Sequence, residues 1–334
     1  MVRVGINGCG RIGRAFWRAS LQRPDIDVVA VNDVAMSPSA IAHLLQYDSV
    51  HGRHATVASA ENDRVVLDGR SVPVGSNPRP GDTPWGDLGV DLVLESTGRF
   101  FRADALRGHL KAGAERVLIS AAAPDPDATI IIGVNDPDYD PARHRIVSPA
   151  CCTSNAAAPV IAVLRSTFGV KSVYLNTVHA YDVTASALHD SPHRDRRMGR
   201  AAALNIVPAR ITDTTRSLGY VFPDLADSMH GTAMRVPTGI GCNVELIAEL
   251  DRAVDGADIN VALAAAASGA WKGRFGYTDE PLVSSDFIGM PEVSVVDSLL
   301  THTMGRNAKV VVWHDNEIGY ARILCDAVEL LSRA

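Results

Sequence analysis

The 334-residue chain has no excess of basic residues. Its 32 Lys and Arg face 38 Asp and Glu, a formal net charge of −6. That argues against a dedicated nucleic-acid binder, whose footprint is basic. Cysteine is scarce. The five present, Cys9, Cys151, Cys152, Cys242 and Cys325, are odd in number and lack framework spacing. A disulfide scaffold is therefore disfavoured and a reducing compartment fits. There is no Cys/His spacing of a zinc site, so no metal is expected. No apolar run approaches 18 residues, and the N-terminus carries no charged-then-apolar signal segment. These absences lead us to expect a cytoplasmic protein with no membrane partner. No internal repeat or low-complexity linker occurs either.

What remains is an ordinary globular composition, 46% hydrophobic and 21% charged, long enough for two domains. The stretch Ser148-Pro149-Ala150-Cys151-Cys152-Thr153-Ser154-Asn155 places two thiols just ahead of an apolar, helix-like run. Unpartnered N–H groups and the helix dipole at such an end favour thiolate over thiol. Two buried cysteines acting as small hydrophobes are the alternative. His179 ends a strand-like run 27 residues after Cys152, and a cysteine with a distant histidine is the pattern of an activated nucleophile.

Earlier in the chain, the strand-like Val2–Ile6 runs into Gly8-Cys9-Gly10-Arg11-Ile12-Gly13 and a helical segment from Arg14 to Leu21. A second strand over Val28–Val31 leads to Asp33. Strand, glycine-rich turn, helix and a following acid are the elements of a dinucleotide fold. Gly8 makes the turn, Gly10 admits the pyrophosphate, Gly13 lets helix and strand pack, and Asp33 reaches the ribose. A carboxylate there repels a 2′-phosphate, so NAD is expected over NADP. Helix is expected over Ala40–Tyr47, and a hairpin with its turn at Asp68-Gly69. Strands are expected over Asp91–Gly98, Arg116–Ser120 and Thr129–Gly133. Ser96, Thr97, Gly98 and Ser120 fall at strand ends, where cofactor contacts gather in a parallel sheet.

Beyond Cys152 the strands lengthen and alternate: Ser172–His179, Thr232–Val236, Asn243–Leu250 and Lys309–Trp313. They imply a largely antiparallel sheet with helices such as Ile259–Ser268. A last amphipathic helix is expected over Ala321–Leu331.

Ordered segments along the whole chain resemble the glyceraldehyde-3-phosphate dehydrogenase family. They are Ile6 to Arg14, Glu95-Ser96-Thr97-Gly98-Arg99-Phe100, Cys152-Thr153-Ser154-Asn155, and Thr177-Val178-His179-Ala180-Tyr181. Arg200 to Ala203, Met234-Arg235-Val236-Pro237-Thr238 and Asp315-Asn316-Glu317-Ile318-Gly319-Tyr320 complete the set. The resemblance implies an α/β fold, a Rossmann NAD-binding domain plus an α+β catalytic domain. The first would take 1–151, completed by 316–334, and the second 152–315. It also implies a homotetramer.

By the same resemblance Cys152 is the nucleophile, three residues before Asn155 and 27 before His179, and Cys151 stands at a family serine position. His179 would help deprotonate Cys152, which attacks an aldehyde. Hydride transfer to NAD would leave a thioester, released by phosphate or water. Asn316 would hold the nicotinamide amide, with Tyr320 near its ring. Two anion sites are implied, and both depart from the family. At the substrate phosphate Arg235 and Thr184 match, Arg194 replaces a lysine and Asp182 replaces a threonine. At the attacking phosphate Thr153 matches, Cys151 replaces serine, and Ala209-Arg210-Ile211-Thr212-Asp213 replaces a Ser/Thr-Thr-Gly segment. Three functions stay open at this point. They are the usual family activity, oxidation of a different small aldehyde (erythrose-4-phosphate-like or non-phosphorylated, with hydrolytic release), and a non-catalytic scaffold on the same fold.

Overall fold

The structure, a computed structural model, describes residues 1–181 and 189–333. The chain divides into two units, Met1–Ala150 with Tyr320–Ala334, and Cys151–Gly319. In the first, β1 (Val2–Asn7) leads into α1 (Arg11–Ser20), β2 (Ile26–Asn32) and α2 (Pro38–Gln46). A short hairpin, β3 (Tyr47–Asp48) and β4 (Gly52–Arg53), precedes β5 (Ala58–Glu61), β6 (Arg64–Leu67) and β7 (Arg70–Gly75). Then come β8 (Leu92–Glu95), α3 (Ala103–Lys111), β9 (Arg116–Ile119), β10 (Ala128–Thr129) and β11 (Ile146–Ser148).

The sheet order is β10-β11-β9-β8-β1-β2-β7-β6-β5. Pairing is parallel from β10 through β7 and antiparallel only between β7, β6 and β5. This is the Rossmann-type arrangement. Its central strands are apolar on both faces, and β8 is buried along its whole length, as a strand covered by helices must be. The β6–β7 turn has Asp68 at φ 54 and Gly69 at φ 73, the pair of left-handed residues that a two-residue hairpin needs.

A buried polar chain ties the strand ends together. Asn32 Nδ2 donates to Asn7 Oδ1 (2.8 Å), and Asn7 Nδ2 donates to Glu95 Oε2 (2.6 Å). Trp85 Nε1 donates to His109 Nδ1 at 2.8 Å, which leaves His109 Nε2 to donate to the same carboxylate oxygen at 3.1 Å. A buried carboxylate is tolerable only with such partners.

The expected strand over Thr129–Gly133 is a correction: only Ala128–Thr129 pair, and the chain turns from Ile132. Asn135 causes this. Its side chain accepts the Ile131 N–H (2.8 Å) and donates to the Thr129 carbonyl (3.0 Å), competing with the ladder for those backbone groups.

The second unit opens with α4 (Cys152–Phe168), β12 (Val170–Ala180), β13 (Val207–Arg210) and α5 (Thr212–Val221). It continues with β14 (Met229–Val236), β15 (Cys242–Leu250), α6 (Gly256–Ser268), β16 (Phe275–Thr278), β17 (Ser294–Met304) and β18 (Asn307–His314). α7 (Ile318–Ser332) begins at its last residues. The order is β13-β14-β12-β15-β18-β17-β16. Only β12–β14 and β16–β17 pair parallel, so the sheet is largely antiparallel. β12 and β18 flank β15 and run the same way. Their last residues therefore reach one end of the sheet. Within the first unit, Arg23 pairs with Asp326 (2.6 Å) and Glu329 (2.8 Å) of α7.

α1 begins at Arg11, so Gly13 lies inside it rather than before it. A Cβ on Gly13 would fall 2.3 Å from the Gly8 carbonyl oxygen, and one on Gly8 (φ +94) would fall 2.6 Å from the Thr97 nitrogen. The turn can therefore close only on glycine. Ala in place of Gly inside a helix normally gains up to about 1 kcal/mol. Gly13→Ala is expected instead to lose roughly 1–3 kcal/mol through overpacking, read as a lower melting temperature. An unchanged or higher melting temperature would show that helix and turn are not in this contact.

Candidate active site

Ala150 has φ 60, uncommon away from glycine. Cys151 follows in extended backbone as the N-cap of α4. Its Sγ accepts the Ser154 N–H at 3.5 Å and lies 3.2 Å from Ser154 Oγ and 3.4 Å from Thr214 Oγ1. Asn155 fixes the first turn, donating to the Cys151 carbonyl from both its backbone N (3.0 Å) and its Nδ2 (2.9 Å). Cys152 is thus the first helical residue, half-buried, where backbone N–H groups lack intrahelical acceptors.

His179, buried near the end of β12, brings Nε2 to 3.7 Å from Cys152 Sγ. Its Nδ1 lies 2.7 Å from the Ala180 carbonyl oxygen. A carbonyl only accepts, so Nδ1 carries a hydrogen, and in the neutral ring Nε2 then presents its lone pair to the thiol. The thiol, the imidazole and the carbonyl that orients the imidazole all lie in one unit.

His314 ends β18, opposite Cys242 in the β15–β18 ladder. Its ring centroid is 6.2 Å from that of His179. Burial lowers its pKa to about 3, and the neighbouring His179 adds to the fall. The other thiols are set apart from this chemistry. Burial pushes Cys9 and Cys325 up to about 12, against the opposing pull of Arg14 and Arg23 respectively. Cys242 is buried and its sulfur accepts the Ala180 N–H at 3.3 Å.

The expected cofactor residues of the first unit gather at the ends of β1, β2, β8 and β9. Gly10 precedes α1, no side chain caps that helix, and its first turn, with Arg11, Ile12 and Gly13, holds no acid. Nothing lies within 4 Å of where a Cβ on Gly10 or Gly98 would sit. Asp33 accepts backbone N–H bonds from Cys9 (2.8 Å), Ala35 (2.7 Å) and Met36 (3.0 Å), which hold the carboxylate rigid beside the turn. The Ser96 hydroxyl donates to the Gly8 carbonyl at 2.6 Å and Thr97 bonds Glu95, so both brace the loop. Ser120 bonds the Glu95 carbonyl through its backbone nitrogen at 2.9 Å. Tyr320 donates its hydroxyl to the Ala150 carbonyl at 2.6 Å. In the second unit, Asn316 Oδ1 accepts the Gly241 N–H at 3.1 Å, just after Asp315 has capped α7.

Of the expected anion residues, Asp182 and Thr184 lie outside the described residues. Arg235 is the direct partner of His179 across the β12–β14 ladder. Arg194 is exposed, and Thr153 is buried in the first turn of α4. Arg210 is exposed at the end of β13.

Residues 151–316 match the family model described as glyceraldehyde 3-phosphate dehydrogenase, C-terminal domain. Residues 2–103 match that of its NAD binding domain. The chain belongs to the glyceraldehyde 3-phosphate dehydrogenase family. Glyceraldehyde-3-phosphate dehydrogenase of Geobacillus stearothermophilus is 45% identical over 326 residues, covering 97% of this chain and 96% of the relative. That of Kitasatospora aureofaciens is 46% identical over 333 residues, 99% of each. That of Mycobacterium avium is 46% identical over 340 residues, 100% of this chain and 99% of the relative.

As a glyceraldehyde-3-phosphate dehydrogenase-type enzyme it is an NAD-dependent oxidoreductase. Among the described residues no helix is long and apolar enough to cross a membrane. Two residues of the site escape a reading by motif. Thr214 reaches Cys151 from α5, and only the altered segment after Pro208 hints at it. His314 stands immediately before the Asp315-Asn316-Glu317 segment, and that adjacency is its only signal in the sequence.

Iodoacetamide should alkylate Cys152 at least roughly tenfold faster than Cys151, because Cys152 faces an imidazole nitrogen and Cys151 faces hydroxyls. Cys9 and Cys325 should stay unmodified in the folded chain. Peptide mass mapping over time reads this directly, and a faster Cys151 would overturn the assignment.

Proposed function

We propose that this dehydrogenase oxidises a small aldehyde, glyceraldehyde 3-phosphate first among them, through a thiohemiacetal and a thioester on Cys152. The observation that carries the reading is the 3.7 Å contact between Cys152 Sγ and His179 Nε2. The thiol proton passes to Nε2, and the sulfur pair forms the bond to the carbonyl carbon as the C=O π pair moves to oxygen. The protonated His179, still anchored through Nδ1, then donates to that oxyanion and afterwards takes back the hydroxyl proton. Phosphate or water finally attacks the thioester, and the Cys152 thiolate departs.

NAD, when bound, is the hydride acceptor that this oxidation requires. The glycine-rich turn fits it. The N-terminus of α1, which no side chain caps and where open space lies at Gly10, suits a pyrophosphate at the positive end of the helix dipole. Gly8, Gly10, Arg11, Ile12 and Gly13 would hold that group and Asp33 the ribose. Gly98, Ser96, Thr97 and Ser120 would shape the loop beside it, with Asn316 and Tyr320 serving the nicotinamide. Arg235, beside His179 in the β12–β14 ladder, would take the substrate's phosphate together with Arg194 and Thr184, and Asp182, a carboxylate where the family has a threonine, would disfavour a doubly charged phosphate there. A homotetramer in the cytoplasm, with its five thiols unbridged, completes the reading.

A second route for release is favoured by Cys151. A sulfur bonded to Ser154 and Thr214 is a poorer partner for inorganic phosphate than a hydroxyl, and Thr153 beside it is buried. NADH formation from glyceraldehyde 3-phosphate, with and without phosphate, tests both points beside the Geobacillus stearothermophilus relative. We expect NADH from the wild type, none from Cys152→Ser, and a smaller acceleration by phosphate than in the relative. An equal acceleration would reject release by water. No NADH from this or any other small aldehyde would reject the dehydrogenase reading and favour a scaffold.

A further inference from the structure

Neither ring nitrogen of His314 has a hydrogen-bond partner among the described residues, although the side chain is only 3% exposed. Leaving a buried imidazole unpartnered is costly, and such a group calls for an ion or a water to satisfy it. Its surroundings favour the ion. One ligand atom from each of Cys152, His179 and His314 lies within 4.8 Å of the other two. Sulfur and nitrogen ligands on a tetrahedral zinc, with bonds of about 2.3 and 2.0–2.1 Å, lie about 3.6 Å apart. Cys152 Sγ and His179 Nε2 are already at 3.7 Å. His179 also has the outer contact typical of a ligating histidine, its other ring nitrogen donating to a backbone carbonyl at 2.7 Å.

We propose that Cys152, His179 and His314 form a binding site for a thiophilic divalent cation of the zinc class, one that reversibly masks the nucleophile. A thiolate with two neutral imidazoles is a soft to borderline set, which selects zinc, cadmium or cobalt over magnesium or calcium. Three protein ligands leave the fourth position to water. Binding forms a metal–sulfur bond, releases the Cys152 thiol proton to solvent and changes no oxidation state. It takes the Sγ lone pair needed for addition to an aldehyde, and the Nε2 lone pair that would accept the thiol proton. The site is assembled from the first residue of α4 and the ends of β12 and β18. His314 closes it, because Cys152 and His179 alone offer two ligands.

The test uses the full chain and metal alone, so its readouts do not pass through aldehyde oxidation or NAD. Titration with cobalt(II) should give one equivalent bound, with a thiolate-to-cobalt charge-transfer band and intense tetrahedral d–d bands. Both should be absent in Cys152→Ser. Zinc should compete the cobalt away and protect Cys152 from iodoacetamide until a chelator is added. His314→Phe and His314→Gln should each weaken zinc by at least roughly 10–100-fold, the loss that removing even an outer-shell partner brings. Zinc affinity unchanged in a folded His314 variant would overturn the proposal. So would a wild-type chain whose Cys152 is not protected by micromolar zinc, an outcome that does not depend on how the variants fold.

Discussion

The chemistry proposed for this chain depends on one short hydrogen bond, from His179 Nδ1 to the carbonyl of the next residue, Ala180, at 2.7 Å. It selects a tautomer. With a hydrogen on Nδ1, the neutral ring points a lone pair on Nε2 at Cys152, which is what the proposed role of base requires. The orienting group of this pair is backbone rather than a carboxylate, so the imidazole is held without burying a negative charge beside the sulfur.

The fold supplies the rest by placing strand ends and a helix end together. β12 and β18 run in the same direction on either side of β15, so His179 and His314 come to the same end of the sheet. α4 opens at that end because Cys151 caps it and Asn155 clamps its first turn through the Cys151 carbonyl. In the first unit the equivalent economy is at Gly13, where helix and turn approach so closely that no Cβ fits. A chain of buried polar groups, Asn32, Asn7, Glu95, His109 and Trp85, holds the strands that carry that turn.

Much of this was legible in the sequence, where the signal is local. The glycine-rich turn, the Asp68-Gly69 hairpin and the long alternating strands declare themselves by spacing. Thr129–Gly133 read as a strand because its apolar run is indistinguishable from one. The competing Asn135 side chain lies outside that run. His314 could not be read as part of a Cys–His–His cluster. Its companions are 135 and 162 positions away in the chain (314 − 179 and 314 − 152), and only the sheet order makes them neighbours. The roles of Ser96 and Asp33 are modified by their surroundings in the same way. Their polar atoms already hold the glycine-rich turn in shape, which no linear pattern expresses.

The central claim is that His179 activates Cys152. The rate of Cys152 alkylation by iodoacetamide at neutral pH, in the wild type and in His179→Asn, tests it most directly. An isolated thiol is only a few per cent thiolate at that pH. Removing the base should therefore slow alkylation by roughly tenfold or more while the melting temperature stays near that of the wild type. Equal rates in the two proteins would mean that the contact between sulfur and imidazole does not activate the thiol.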